Sequence, residues 1–439
     1  MKSGNKMNLN VFDRAYNTET FSQPGRIVRS LADVDFYTYT MMAVAWEKQP
    51  DAIAEYELNI RSADELAPYF SEIQDEIHAL EHLEFENSHL QKLSHRAQWL
   101  KPSYIDFLRT FKLDPKKQVE LRIDENNKLR VRIKGVWHKA MPLEIMILMI
   151  LKEVRNRNLY PDLSLEMYQE NLFKKLKWVE EQVEMRGLDD FKYMEFGTRR
   201  RPSYAIQKLS LETQIKMMPK HFVGTSNLHL ALELDIPFMG TMAHQYMSAA
   251  QVLHPLATHQ KDAMREWDEV FNGRLGVVLP DTISTDVFLK DFGYGEANRY
   301  SGSRHDSGCP RSYANKFINH YKNLSIDPKT KRIIFSNSLD FEKSLKLHEE
   351  FRKQIQVFSA MGTSLLNMFD GYKNPNGEEY SPLNAVIKLV RMNGKPVAKF
   401  SDDAGKEVCV DPLFSAYLKN QFGLEFDKET LIQHLMKAA

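Results

Sequence analysis

The sequence runs to 439 residues, enough for two or three domains with a large core. Its 59 basic residues balance 59 acidic ones, which argues against a general nucleic-acid binder, since that partner demands a basic excess. The two cysteines, Cys309 and Cys409, give no disulfide framework. The opening MKSGNKMNLN lacks the apolar core of a secretory signal. The most apolar run, 140–151, contains Glu144 and is too short to span a bilayer. The expectation is a cytoplasmic enzyme or binding protein with neither nucleic acid nor membrane as partner.

Residues 1–25 are polar, carry no amphipathic pattern and end at Pro24-Gly25, so they read as an arm. The stretch 28–37 then leads into a helix through Trp46, with Ser30, Asp33 and Asp35 as plausible caps. A strand-like run at 54–60 precedes helical spacing over 73–83, where His78 and His82 share a face. No third ligand stands at suitable spacing, so a solvated helix face is the preferred reading over a metal site. Residues 119–123 and 129–133 flank Asn126-Asn127, a hairpin pattern, and helices are expected at 142–157 and 164–184. Residues 26–190 thus read as a mixed α+β domain without a chemical constellation of its own.

From Lys192 the character changes. Short apolar strands end in small, polar or charged residues, and each leads into a helical stretch. The ends are Phe196-Gly197-Thr198-Arg199-Arg200-Arg201, Gly224-Thr225-Ser226-Asn227, Gly240-Thr241, Leu279-Pro280-Asp281, Arg304-His305-Asp306-Ser307-Gly308, Ser336-Asn337-Ser338 and Met361-Gly362-Thr363. Seven strand–turn units, most at βα spacing, predict an irregular parallel α/β barrel over 191–370, packed on the mixed domain. An open doubly wound sheet is the alternative, weakened by the absence of a Gly-rich dinucleotide fingerprint. The unit at 224–247 is central: a turn, a helix at 228–234, a second strand at 236–239, and a second turn reaching His244. Residues 371–439 form a last segment. Within it, 385–392 and 396–400 flank Asn393-Gly394-Lys395, a hairpin expected to return to the first domain, and a terminal helix begins near 428.

The strand ends hold no Cys/His cage and no Gly-x-Ser-x-Gly elbow. They suit an anionic, phosphate-bearing substrate. Gly-Thr turns at helix starts bind oxyanions, Arg grips carboxylate or phosphate in a forked pair, and Asp binds sugar hydroxyls.

FGTRRR (196–201), GTSN (224–227), GTMAH (240–244), RHDSG (304–308), GTS (362–364) and SLADVDFY (30–37) together resemble the motif series of the nicotinate phosphoribosyltransferase family. The resemblance runs in the family's order from about 28 to about 398. It implies an enzyme that joins nicotinate to 5-phosphoribosyl-1-pyrophosphate, giving nicotinate mononucleotide and pyrophosphate for NAD salvage. It implies ATP hydrolysis through a phosphohistidine, which matches His244, and a homodimer in which Tyr37 reaches the site from the other subunit. Magnesium is expected on the pyrophosphate, with no metal ligand assigned in the chain. On this reading Phe196 and Tyr37 hold the nicotinate ring, Arg304 pairs its carboxylate and Thr241 adds a contact. Asp306 binds ribose hydroxyls, Gly362 and Thr363 the 5-phosphate, and Arg199 belongs to the same substrate site. Asp281 holds the His244 imidazole and fixes its tautomer. Ser226 stands where the nicotinamide-using relative has an aspartate, which favours the acid over the amide by removing a like-charge penalty.

Four positions depart from the family's pattern: Thr38 for Lys, Cys309 for Asp, Asn337 for Asp, and Ala360 for Gly. All fall in the expected phosphoribosyl and pyrophosphate region. They motivate a second reading, a non-catalytic sensor of a nucleotide or phosphosugar.

Overall fold

The structure is a computed structural model that describes residues 25–62, 66–403 and 405–425. The arm expected at 1–25, apart from Gly25, and the helix expected from 428 lie outside the described residues. The first sheet is built from β1 (Ile53–Ile60), β2 (Val119–Ile123), β3 (Leu129–Val136), β10 (Ala385–Met392) and β11 (Lys395–Pro396). Its order is β11-β10-β1-β3-β2, every pair antiparallel. The C-terminal hairpin therefore lies in the sheet of the early strands, with Ile60 opposite Ala385 and Ala54 opposite Met392.

Strict alternation explains why β3 covers one face only. Leu129, Val131 and Ile133 point inward, while Arg130, Arg132 and Lys134 face water. Its hairpin turn works because Asn127 takes φ 56°, and that of β10 and β11 because Asn393 and Gly394 take φ 50° and 75°. The helix Trp137–Leu159 packs on this sheet and is buried on almost every side. Glu144 sits inside its apolar length.

The second sheet holds β4 (Tyr193–Glu195), β5 (Phe222–Thr225), β6 (Val277–Val278), β7 (Gly302–His305), β8 (Arg332–Phe335) and β9 (Gln356–Met361). The order is β5-β4-β9-β8-β7-β6 and all pairs are parallel. Helices follow most strands, several opened by the side-chain caps their sequences advertise: Asn227, Ser284 and Asp340. Apolar residues of both sheets belong to one continuous core.

Two expectations are corrected here. The strand expected at 236–239 forms no ladder; Phe238 makes a single parallel bridge to Thr225. Pro237 has no N–H to extend pairing, and Gly240 turns the chain away at φ 149°. The same segment reaches the opposite edge of the sheet, where Thr241 Oγ1 donates to the Val277 carbonyl at 3.0 Å. Second, none of Ser30, Asp33 and Asp35 caps the helix Tyr37–Lys48, which starts at Phe36 without a side-chain cap. Their polar atoms face other elements, Asp33 above all toward Arg201. The last described helix is Pro412–Phe422, opened by Asp411 and closed by Gly423. Two short strands, β12 (Ala398–Lys399) and β13 (Val408–Cys409), pair just before it. Among the described residues no helix is long and apolar enough to cross a membrane.

Candidate active site

The carboxyl ends of β4, β7, β8 and β9 open on a cavity of about 630 Å³. Tyr37, Phe196, Arg199, His244, Arg304, Asp306, Gly362 and Thr363, eight of the residues picked from sequence, line it. Each reaches the cavity for a local reason. β4 ends at Glu195 and releases Phe196. β9 ends at Met361, and Gly362 then lets the chain pass Phe196: a Cβ there would lie 2.7 Å from the Phe196 carbonyl. His244 is the first residue of the helix His244–Leu253. Gly240 admits the Tyr37 backbone, since a Cβ at 240 would lie 2.8 Å from Tyr37 N.

Tyr37 lines the cavity of its own chain. The family resemblance instead has Tyr37 entering from a second subunit. The segment before it is stitched to the strand-end loops: Phe36 N donates to the Ser226 carbonyl at 2.6 Å, and Asp35 bridges to Asn227. Asp33 anchors the stitch. Arg201 donates to its two oxygens at 2.7 and 2.9 Å, and Asn227 Nδ2 donates at 2.9 Å.

The charge pattern is unlike that of the neutral whole chain. Arg61, Arg199, Arg200, Arg304, Lys388, Lys399 and Lys406 line the cavity, against Asp35, Glu144, Asp306 and Asp340. Seven cations to four carboxylates favour a polyanionic occupant. Burial, with Arg199 nearby, pushes Lys388 down to about 8 and Arg200 down to about 10. Bound phosphate would raise both back toward their ordinary values. Burial opposes the charge on Arg199, but Tyr37, Glu144 and Asp35 outweigh it and leave the guanidinium held above its ordinary value. Arg304 is buried, and its Nε has no hydrogen-bond partner among the described residues.

At the other side stands a relay. His244 Nε2 lies 2.8 Å from Asp281 Oδ1. Asp281 Oδ2 accepts from Ser307 Oγ at 2.5 Å and from Lys399 Nζ at 3.2 Å. Burial works against the Asp281 charge, yet His244 and Lys399 hold its carboxyl well below the usual range. An ionised carboxylate can only accept, so Nε2 carries the proton and the Nδ1 lone pair is left for chemistry. Burial lowers the His244 imidazole against the pull of Asp281. Its Nδ1 lies 3.6 Å from Asp306 Oδ2. Asp306 also accepts from Ser336 Oγ at 2.8 Å; burial opposes its charge, but Arg304 and His244 hold it low.

Two predicted contacts do not line the cavity. Ser226 is fully buried and donates its hydroxyl to Asp35 Oδ1 at 2.5 Å. Thr241 spends its hydroxyl on the Val277 carbonyl. Of the four departures, Asn337 and Ala360 line the cavity, whereas Thr38 is buried in the helix Tyr37–Lys48 and Cys309 is exposed at the start of the helix Pro310–Asn323. Potential ligand atoms of His244, Asp281 and Asp306 lie within 4.8 Å of one another. Both Asp281 oxygens are already taken and an ammonium sits beside them, so this set is a hydrogen-bonded relay rather than a cation cage.

Sequence reasoning missed Asp35, Glu144, Lys388 and Lys399. Glu144 had left a signal: a carboxylate within an apolar helix needs partners, and it accepts from Gln245 Nε2 at 2.8 Å and meets Arg199 Nη1 at 3.5 Å. Lys388 and Lys399 sit on strands that only the tertiary fold carries to the cavity.

A parallel sheet whose strand ends hold a cation-rich cavity, two aromatics and a carboxylate-held histidine suits a flat ring and a phosphate-rich ligand. The comparisons with known proteins agree. Residues 191–426 match the model of the nicotinate phosphoribosyltransferase family, and residues 32–152 match its N-terminal domain. The chain is 38% identical to the nicotinate phosphoribosyltransferase of Vibrio parahaemolyticus over 406 residues, covering 92% of this chain and 93% of the relative. It is 40% identical to that of Ectopseudomonas mendocina over 398 residues, 90% of this chain and 97% of the relative. The crystal structure of nicotinate phosphoribosyltransferase from Vibrio cholerae superposes with a TM-score of 0.91 at 38% identity, covering 94% of this chain and 98% of that one. A putative nicotinate phosphoribosyltransferase from Saccharomyces cerevisiae gives a TM-score of 0.81 at 28% identity, covering 91% of this chain and 99% of that one. The chain belongs to the nicotinate phosphoribosyltransferase family.

Proposed function

We propose that this chain joins nicotinate to 5-phosphoribosyl-1-pyrophosphate, giving nicotinate mononucleotide and pyrophosphate for NAD salvage in the cytoplasm. One observation carries the reading: Tyr37, Phe196, Arg199, Arg304 and the His244–Asp281 pair converge on one cation-rich cavity. Nicotinate is a flat anion; Tyr37 and Phe196 take its ring and Arg304 its carboxylate. Asp306 faces the ribose hydroxyls, and the Gly362-Thr363 turn at the end of β9 takes the 5-phosphate. Departure of pyrophosphate from the ribosyl carbon builds positive charge on the sugar. The cationic walls stabilise the charge that develops on the leaving group. Magnesium, when bound, would supply neutralisation of part of that charge.

ATP supplies free energy through phosphorylation of His244, with Asp281 holding the Nε2 proton. In this reading the six strands and the 236–241 segment act as one irregular barrel, supported by the contacts that segment makes to β5 and β6. The homodimer implied by the family resemblance is retained as an expectation that Tyr37, placed in its own chain, does not require.

Ser226 acts on substrate choice through Asp35, whose charge its hydroxyl absorbs beneath the cavity wall. Asn337 and Ala360 keep the sensor reading in view, because both stand in the cavity. The test is product formation from nicotinate, phosphoribosyl pyrophosphate and magnesium, with nicotinamide in a parallel reaction. Nicotinate mononucleotide from nicotinate alone supports the enzyme. Tight binding of both substrates without any product would hand the site to the sensor.

A further inference from the structure

The His244 ring sits between two carboxylates, Asp281 at 2.8 Å on Nε2 and Asp306 at 3.6 Å from Nδ1. Two such neighbours would ordinarily hold the ring as an imidazolium, which has no lone pair to give. Something must offset them. Among the described residues, the one ammonium bonded to this relay is Lys399, on β12, outside the motifs that carry the family resemblance.

Lys399 is held there by its backbone. Ala398 N donates to Gln251 Oε1 at 2.9 Å, and Gln251 Nε2 donates back to the Ala398 carbonyl at 2.8 Å, from the helix that His244 opens. Phe400 N donates to the Thr282 carbonyl at 2.8 Å, one residue beyond Asp281. Asp402 N donates to Ser307 Oγ at 3.0 Å, the hydroxyl that itself donates to Asp281. Gly308 N donates to Asp403 Oδ1 at 3.0 Å. The strap 398–403 is thus fastened to the His244 helix and to the loops after β6 and β7.

We propose that Lys399 is a positioning residue for the phosphoryl-accepting histidine: it pins Asp281, so that His244 keeps its proton on Nε2 and turns the Nδ1 lone pair to the cavity. The inference rests on the ATP-coupling reading above. In the step it serves, Nδ1 attacks the γ-phosphorus, the P–Nδ1 bond forms, and the bond to the bridging oxygen breaks with ADP as leaving group. The Nε2 proton stays in its bond to Asp281. Water later hydrolyses the phosphohistidine and restores the free ring. The charged groups around the ring are Asp281 and Asp306 from the strand-end loops, Arg304 on β7, Lys399 on β12, and Lys388 and Glu144 across the cavity. Burial, and after it Lys399, lower the imidazole against both carboxylates.

The experiment compares wild type with Lys399→Met and Lys399→Arg. It follows label transfer from γ-labelled ATP across pH, the phosphorylated nitrogen by NMR, and the titration of the 15N-labelled His244 ring without ligands. Wild type should carry the phosphoryl group on Nδ1. Lys399→Met should label roughly tenfold more slowly at neutral pH. Its acid limb and its ring titration should both move to higher pH, and selectivity for Nδ1 should fall; Arg should restore all three. Unchanged titration and unchanged nitrogen in Lys399→Met, with only the KM for ATP or phosphoribosyl pyrophosphate raised, would overturn the proposal and make Lys399 a substrate contact. If wild type takes no label at all, the ATP reading fails, while the ring titration still decides the role of Lys399.

Discussion

Replacing Asp33 by alanine removes the anchor of the segment that delivers Asp35 and Tyr37. Arg201 and Asp33 are both without solvent exposure and form a forked pair at 2.7 and 2.9 Å. Without Asp33 the guanidinium keeps uncharged hydrogen-bond partners, the Ile27 carbonyl and Gln207 Oε1, and the face of the Tyr204 ring, with Glu153 as a carboxylate that still favours its charge. A stranded buried cation costs about 3–5 kcal/mol. Desolvation opposes the Asp33 charge, yet Arg201 outweighs it and holds the carboxyl at about 2 against an ordinary 3.8. A depressed carboxyl stabilises the fold fully above its unfolded value and loses that contribution as pH falls through the folded one. Asp33 therefore supplies about 2 kcal/mol that disappears as pH drops from about 4 toward 2. Urea unfolding followed by tryptophan fluorescence should show a drop of about 3–5 kcal/mol for Asp33→Ala at neutral pH. Asp33→Ala/Arg201→Met should recover part of it, because no lone charge remains. A drop below about 1 kcal/mol, or a double variant worse than the sum of the singles, would refute the reasoning.

Other outcomes follow from the same geometry. Gly240→Ala should raise the KM for nicotinate and lower the melting temperature, since its Cβ would press on Tyr37 N at 2.8 Å and the backbone holds φ 149°; unchanged steady-state constants and melting would count against the placement of Tyr37. Ser226→Asp should cost stability rather than install nicotinamide use, because it sets a second carboxylate against Asp35 where a hydroxyl now donates at 2.5 Å; a stable variant active on nicotinamide would contradict this. Mixing inactive Tyr37→Ala with inactive His244→Ala should restore no activity, because both side chains line the cavity of one chain; recovered activity would show that Tyr37 is supplied in trans.

Much of this site could be read from residue order, because each strand end carries its chemistry within a few residues of a recognisable apolar run. Phe196, His244, Arg304 and Asp306 were legible for that reason. Hairpins were legible where turn residues announce a positive φ, as at Asn393 and Gly394. What failed depended on partners distant in sequence. Asp33 and Asp35 look like helix caps until Arg201 and Ser226 are brought to them from 168 and 191 residues away. Thr241 looks like a ligand contact until the Val277 carbonyl takes its hydroxyl. Lys388 looks like an ordinary strand residue until β10 joins β1, and Lys399 until β12 is fastened to Gln251 and Thr282; both then line the cavity. Local pattern reports which groups stand at strand ends; it does not report which of them are already bonded.

The most direct test of the account is the number of ATP molecules hydrolysed per nicotinate mononucleotide formed, measured in wild type and in His244→Ala. The account predicts that ATP stimulates product formation in wild type with hydrolysis tied to turnover, and that His244→Ala loses both the stimulation and the substrate-dependent hydrolysis. Undiminished stimulation in His244→Ala would contradict the assignment of His244 as the phosphoryl acceptor.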